Sequence, residues 1–318
     1  MKLRKMVFVI TDRCTAACRV CCFGCCPENS KLLDKEIIKD YIDQLAENNP
    51  DAKVAFTGGE ALMYREMLLE CMTHAKKRGL KSTLVSNCSF GSTSEKAKTT
   101  LQKLHDAGLI SLSISADVYH QEFVPAQNVK NVLAEAMNMG IDIQVRLMEM
   151  SDDDGVAKTL ATLRPEIYGV HWMSYPIFPV GSALEQPAEK FIRPLVVDDV
   201  RCPMERSLTA MFDGELLYCC SQFSREMPFI KVGSFGKTTL EEAITNISHN
   251  DFIYVMLLNG LHWYVKLARQ LDFPIAEKYG APCHFCHEIL GNKDFIRQAT
   301  PYVEEETNRL RLQKLFSA

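Results

Sequence analysis

No run of eighteen consecutive apolar residues occurs in the 318-residue chain, and a membrane-spanning helix needs about that many. Even the apolar stretch over 252–267 is broken by Asn259, Gly260 and His262. No charge of one sign dominates: 36 Lys and Arg stand against 40 Asp and Glu, a net charge of −4. The basic field that would signal a nucleic-acid partner is therefore missing. There is no repeat of fixed period and no low-complexity stretch, and with 47% hydrophobic and 24% charged residues the composition is that of an ordinary globular protein. Collagen-like and disordered chains are excluded. The apolar run Met6–Ile10 is too short for a signal-peptide core, and no small-residue cleavage site follows it. The expected location is the cytoplasm, with neither membrane nor nucleic acid as partner.

What is abundant is cysteine. Thirteen are present, most of them crowded into two regions. In a reducing compartment thiols stay free, so clustered cysteines point to metal or redox chemistry rather than to disulfides.

Residues 1–185 alternate short apolar runs with helical stretches. Strands are predicted at Lys5–Thr11, Lys53–Thr57, Lys81–Ser86, Leu109–Ser115, Ile141–Met148 and Val170–Pro176. Helices are predicted at Asp34–Asn48, Met63–Gly79, Ser94–Ala107, Asn128–Met139 and Gly155–Leu163. In the first helix Ile37, Ile38, Tyr41, Ile42 and Leu45 share one face. Repeated β-then-α units imply parallel strands with right-handed crossovers. The fold class is α/β. Six units suit a partial (β/α)6 barrel, because the eightfold barrel needs about 250 residues. Pro176, Pro179, Gly181 and Pro187 mark a change of composition. The expected organisation is a barrel over 1–185, a bridging segment over 186–200 and a smaller domain over 201–318. That domain should hold a hairpin turning at Asp213-Gly214 between Leu208–Phe212 and Glu215–Tyr218. Helices should follow at Leu240–Ile247, Phe252–Leu271 and Tyr302–Phe316.

The first cysteine group leaves strand one directly as Cys14-x3-Cys18-x2-Cys21. Three thiolates on one loop can ligate three irons of a 4Fe–4S cluster and leave the fourth open. A structural zinc would take a fourth ligand, for which Cys22, Cys25 and Cys26 are at hand. Cys18, Cys22 and Cys25 repeat the same spacing, so a second register exists. The first is preferred because its loop leaves the strand directly and places Val20 before the last cysteine.

Together with Thr57-Gly58-Gly59-Glu60 at the next strand end, the motif resembles the radical S-adenosylmethionine (SAM) enzymes. The resemblance implies that the open iron binds the amino and carboxylate groups of SAM, whose reductive cleavage yields a 5′-deoxyadenosyl radical. It implies that Gly58 and Gly59 let the backbone approach the ligand and that Glu60, or the backbone beside it, meets the methionine ammonium. It also implies SAM contacts from Ser86 and Asn87, from Ser115 and Asp117 toward the ribose, and from Arg146 toward the carboxylate. Position 88 is Cys and position 20 is Val, where such enzymes often carry Gly and an aromatic or His.

The second group runs Cys202-Pro203, then Cys219-Cys220 after the hairpin, then Cys283-His284-Phe285-Cys286. Its order resembles the SPASM or twitch-type extension of radical SAM peptide-modifying enzymes, which implies one auxiliary 4Fe–4S cluster on Cys202, one of Cys219 and Cys220 (Cys219 being preferred), Cys283 and Cys286. A zinc ribbon with the same ligands is the alternative. One cysteine of the pair 219/220 is then spare. If the two lie on a strand they face opposite ways, and a spare thiol at Cys220 can donate a hydrogen atom or simply be a small buried hydrophobe.

Cys21-Cys22-Phe23-Gly24-Cys25, Ser113-Ile114-Ser115-Ala116-Asp117-Val118-Tyr119-His120, Asp213-Gly214-Glu215 and the closing Cys283-x2-Cys286 are together similar to the radical SAM peptide epimerases. These convert L-residues to D-residues in a ribosomally made precursor peptide. The resemblance implies Cα hydrogen abstraction, hydrogen return from Cys220, and reduction by a flavodoxin or ferredoxin. Glu205 and Asp213 are candidates for an acid beside the thiol. The competing outcomes are a thioether or carbon–carbon cross-linker and a zinc-binding protein without radical chemistry. Cys22, Cys25, Cys26, Cys71 and Cys88 carry no assigned role. Trp172, Tyr175, Trp263 and Tyr264 are expected in the core, and His120 is open between structural and functional use.

Overall fold

In the computed structural model, residues 1–151, 154–202 and 206–316 are described. Six parallel strands stand at the predicted places: β1 (Lys5–Val9), β2 (Lys53–Thr57), β3 (Lys81–Ser86), β4 (Leu109–Ser115), β5 (Asp142–Glu149) and β6 (His171–Pro176). Between them run α1 (Lys35–Asn48), α2 (Arg65–Lys77), α3 (Ser94–Asp106), the short α4 (Val118–Gln121), α5 (Ala126–Asn138) and α6 (Gly155–Thr162). Helix α1 begins where it does because the Asp34 carboxylate accepts from the Glu36 and Ile37 N–H groups. A 3₁₀ turn, Ala61–Tyr64, separates β2 from α2 and shortens the predicted helix.

Strand alternation builds the architecture. In β1, Met6 and Phe8 enter the large core shared with the helices, whereas Val7 and Val9 enter a second core. In β4 and β5, Leu112, Ile114, Val145 and Leu147 lie in the helix-side core. The intervening Ser113 and Ser115 pair in register with Gln144 and Arg146, so these four share the opposite, concave face.

The carboxy-terminal region adds β7 (Leu195–Val196), β8 (Ser207–Ala210), β9 (Glu215–Leu217), β10 (Lys231–Ser234) and β11 (Lys278–Tyr279). Its helices are α7 (Leu240–His249), α8 (Asp251–Asn259), α9 (Leu261–Gln270), α10 (Pro282–Leu290) and α11 (Lys293–Phe316). The hairpin is not confined to a separate layer. Strand β8 pairs parallel with β1, giving one nine-stranded sheet in the order β10-β9-β8-β1-β2-β3-β4-β5-β6. The sheet therefore crosses the expected boundary near 186–200. The predicted Phe252–Leu271 helix divides at Gly260, whose φ of +73° ends α8. Trp263 and Tyr264 pack in the second core as expected. Trp172 is instead 42% exposed and Tyr175 half-buried, because β6 is the last strand of the sheet and one of its sides has no neighbour. Among the described residues no helix is long and apolar enough to cross a membrane.

Candidate active site

The loop after β1 folds back on itself, with the Cys14 N–H donating to the Cys26 carbonyl and the Cys21 N–H to the Cys18 carbonyl. The turn gathers Cys14, Cys18, Cys21 and Cys25 into one cluster. Cys22 packs with Phe23 against the second core. Cys25, a member of the second register, packs in the same cluster as Cys14, Cys18 and Cys21. Its backbone N–H donates to Cys21 Sγ at 3.3 Å. Burial pushes the Cys14 thiol up to about 11 and raises Cys18 as well. Cys21 moves the other way, drawn toward the thiolate by hydrogen bonds from the Cys25 side chain and from nearby backbone amides.

Gly58 and Gly59 serve this loop. A Cβ on Gly58 would meet the Thr11 carbonyl oxygen at 2.6 Å; one on Gly59 would run into the Arg13 carbonyl and stand 3.0 Å from Cys14 Cβ. The side chain they lack is thus replaced by cysteine-loop backbone, rather than by a ligand. The Gly59 and Glu60 N–H groups donate to the Thr11 and Arg13 carbonyls at 2.8 and 2.9 Å.

The Glu60 carboxylate is 1% exposed and already used. It accepts from the Leu62 N–H at 3.1 Å, Ser86 Oγ at 3.0 Å and the Asn87 N–H at 2.9 Å. Burial among neutral donors holds its carboxyl above the usual range. The expectations for Glu60 and Ser86 change accordingly: their side chains tie the ends of β2 and β3 together, which leaves only backbone there for a SAM ammonium. Asn87, 5% exposed, is likewise turned inward, to Cys14 and Thr15.

Asp117 is fully buried. One oxygen caps α4 by accepting from the Tyr119 and His120 N–H groups and meets His120 Nδ1 at 2.8 Å; the other accepts the Met148 N–H at 3.2 Å. Both oxygens are engaged, so the expected ribose contact gives way to locking β4 against β5. Burial disfavours charge on His120, yet the Asp117 carboxylate holds its pKa above the ordinary imidazole value. Ser115 and Arg146 do lie side by side on the concave face, half-buried and exposed respectively. Arg146 Nε donates to Gln144 Oε1 at 3.3 Å.

In the second region Cys202, Cys219, Cys283 and Cys286 all pack with the second core. Burial raises Cys219 and Cys286; Cys286 also feels the charges of Cys219, Cys283 and Cys202, and Cys219 those of Cys220, Cys283 and Cys202. The Ser221 N–H donates to Cys219 Sγ at 3.3 Å. Cys219 and Cys220 follow β9 rather than lying on it, so strand alternation is not what separates them; exposure is, because Cys220 alone of the thirteen cysteines is exposed. Asp213 is paired to Arg225 at 2.6 Å, and Glu205 lies outside the described residues. Asp213 and Arg225 line a cavity of about 430 Å³ with Cys22, Gly24 and Gly181, where the cysteine loop meets the hairpin. Cys71 and Cys88 are buried in the helix-side core.

Among the described residues no three His, Cys, Asp or Glu side chains are already gathered as ligands of one metal ion. A 4Fe–4S cluster takes one thiolate on each iron. The residues at the cysteine loop fit such a group: a purely sulfur donor set, one sulfur drawn toward the thiolate, and N–H donors directed at Cys14 and Cys21.

Residues 8–150 match the family model of the radical SAM superfamily. The chain is 26% identical over 308 residues to YydG of Bacillus subtilis (strain 168), described as a candidate peptide biosynthesis protein, across 94% of this chain and 96% of that one. Its fold is similar to that of anSMEcpe with bound AdoMet and Cp18Cys peptide, with a TM-score of 0.56 at 13% identity over 96% of this chain and 99% of that one. It is also similar to SuiB of Streptococcus suis bound to precursor peptide SuiA, with a TM-score of 0.52 at 12% identity over 83% and 66% of the two chains. Residues 8–150, which carry the cysteine loop at the carboxyl end of β1, are thus the part of the chain that is similar to the radical SAM superfamily.

Proposed function

We propose that this chain is a radical SAM enzyme that modifies a precursor peptide, converting L-residues to D-residues. The observation that carries the reading is the exposure of Cys220, in contrast to Cys202, Cys219, Cys283 and Cys286, which pack against the second core. The similarity to YydG and the fold shared with peptide-bound anSMEcpe and SuiB support a peptide substrate.

In this reading Cys14, Cys18 and Cys21 hold the SAM-binding 4Fe–4S cluster, and Cys202, Cys219, Cys283 and Cys286 hold one auxiliary 4Fe–4S cluster. When bound, cluster and SAM supply the carbon radical that removes a Cα hydrogen. The protein's own part is positional. Arg146 would meet the SAM carboxylate and Ser115 the ribose. The Gly58–Glu60 backbone holds the cysteine loop at the strand ends. Cys220 then returns a hydrogen: its S–H bond breaks, a C–H bond forms on the opposite face of the planar Cα, and the remaining sulfur radical takes one electron and one proton. The electron comes from a reductant of the flavodoxin or ferredoxin class. Peptide mass is unchanged.

The test is turnover of the precursor peptide in deuterated buffer. An exposed thiol exchanges with solvent, so each converted residue gains one mass unit. Cys220→Ala is expected to cleave SAM but yield no D-residue. Normal epimerisation by that variant refutes the assigned donor, and a loss of two mass units from the peptide identifies cross-linking instead.

A further inference from the structure

The buried hydrogen bonds around Glu60 end on a sulfur. Asn87 follows β3, and its backbone N–H is held by Glu60 Oε2 at 2.9 Å. Its Oδ1 accepts from the Ser89 N–H at 3.0 Å, which fixes which end of the amide is which. The Nδ2 group then faces the cysteine loop, 3.0 Å from Thr15 Oγ1 and 3.7 Å from Cys14 Sγ. An amide nitrogen carries two hydrogens, so both bonds form together. Beyond Glu60 the chain of bonds continues to the Arg13 carbonyl, next to Cys14. The backbone accepts strain to hold this position: Cys88, the next residue, is non-glycine at φ +64° and its N–H is held by Ser86 Oγ.

We propose that Asn87 is a positioning residue that holds the Cys14 sulfur through an amide N–H···S bond and thereby sets the reduction potential of the cluster that sulfur ligates. Electron density on a ligand sulfur rises when the cluster is reduced, so a donor aimed at it stabilises the reduced state more than the oxidised one. The potential rises with the bond and falls without it. Asn87 is therefore assigned to the cluster rather than to SAM. The proposal rests on Cys14, Cys18 and Cys21 being the cluster ligands.

The experiment uses the full chain, reconstituted anaerobically with iron and sulfide, in three forms: unsubstituted, Asn87→Ala and Thr15→Val. Midpoint potentials are read by EPR-monitored titration, and exchangeable deuterons near the reduced cluster by pulsed ENDOR after exchange into D₂O. Asn87→Ala is expected to shift the midpoint to more negative potential and to lose one deuteron coupling. Thr15→Val removes the neighbouring loop contact, keeps the donor, and is expected to retain both signals. An unshifted midpoint in Asn87→Ala, or an equal shift in Thr15→Val, overturns the proposal. If Asn87→Ala takes up no iron, Asn87→Asp keeps the shape without the amide hydrogens, and persistence of the deuteron coupling there overturns it equally. An unsubstituted chain that binds no cluster refutes the ligand assignment itself, and this inference with it.

Discussion

Replacing Gly59 by alanine separates two accounts of the glycine pair. The added Cβ would press on the Arg13 carbonyl, lie 2.6 Å from its carbon, and stand 3.0 Å from Cys14 Cβ. The obstacle is backbone, not the far end of a flexible side chain, so relief requires moving the cysteine loop. Overpacking of this kind costs about 1–3 kcal/mol, and a backbone obstacle belongs at the upper end. A domain stability of roughly 5–15 kcal/mol absorbs that cost, so the chain still folds and the loop yields. About 3 kcal/mol corresponds to roughly a hundredfold shift away from the cluster-ready loop. The assay is iron and sulfide per chain after anaerobic reconstitution, with SAM affinity measured beside it. Gly79→Ala is the control: its φ is +81° but nothing lies within 4 Å of the new Cβ, so it carries backbone strain without touching the loop and should load fully. Gly59→Ala with a full cluster and unaltered SAM affinity refutes the packing argument. A full cluster with weakened SAM affinity returns the glycine to the ligand-approach role.

Alanine at Cys14, Cys18 or Cys21 should remove about half of the iron and of the visible charge-transfer absorbance of the reconstituted protein, the share of one of two clusters, whereas Cys22→Ala should retain all of it; the same loss in Cys22→Ala would favour the register 18/22/25. Asp117→Ala removes a helix cap, a buried imidazole partner and the bond to the Met148 N–H, and urea denaturation of the apo-protein should show a loss of about 2–3 kcal/mol, at the upper end of the cost of stranding buried donors; unchanged stability would assign Asp117 to a ligand after all. Burial raises the Glu60 carboxyl above its ordinary value of 4.5, so the folded state holds that proton longer than the unfolded chain does. Apo-protein stability from this group is therefore full below pH 4.5 and declines as pH rises through the folded pKa. Glu60→Gln should remove that component of the slope, and an identical pH profile in the variant would show that Glu60 does not produce it.

The six parallel strands and the helices between them were legible from local pattern because strand alternation and helical faces are set by nearest neighbours along the chain. Met6 and Phe8 against Val7 and Val9, or Ile38, Tyr41, Ile42 and Leu45 on α1, need no knowledge of the rest. The same holds for the Asp213-Gly214 turn, whose glycine sits at φ +87°, and for three cysteines spaced to share one loop. What each polar residue touches was decided only in three dimensions. Glu60 meets Ser86 and Asn87 because β2 and β3 are neighbours in the sheet, and Asp117 reaches the Met148 N–H because β4 and β5 are. Buried donors and acceptors must be satisfied, and side chains expected to face a ligand were taken up by that requirement instead. The packing of Cys22 against the second core, the pairing of β8 with β1 and the open side of β6 beside Trp172 have the same origin. They depend on which distant segments become neighbours, information that no local period contains.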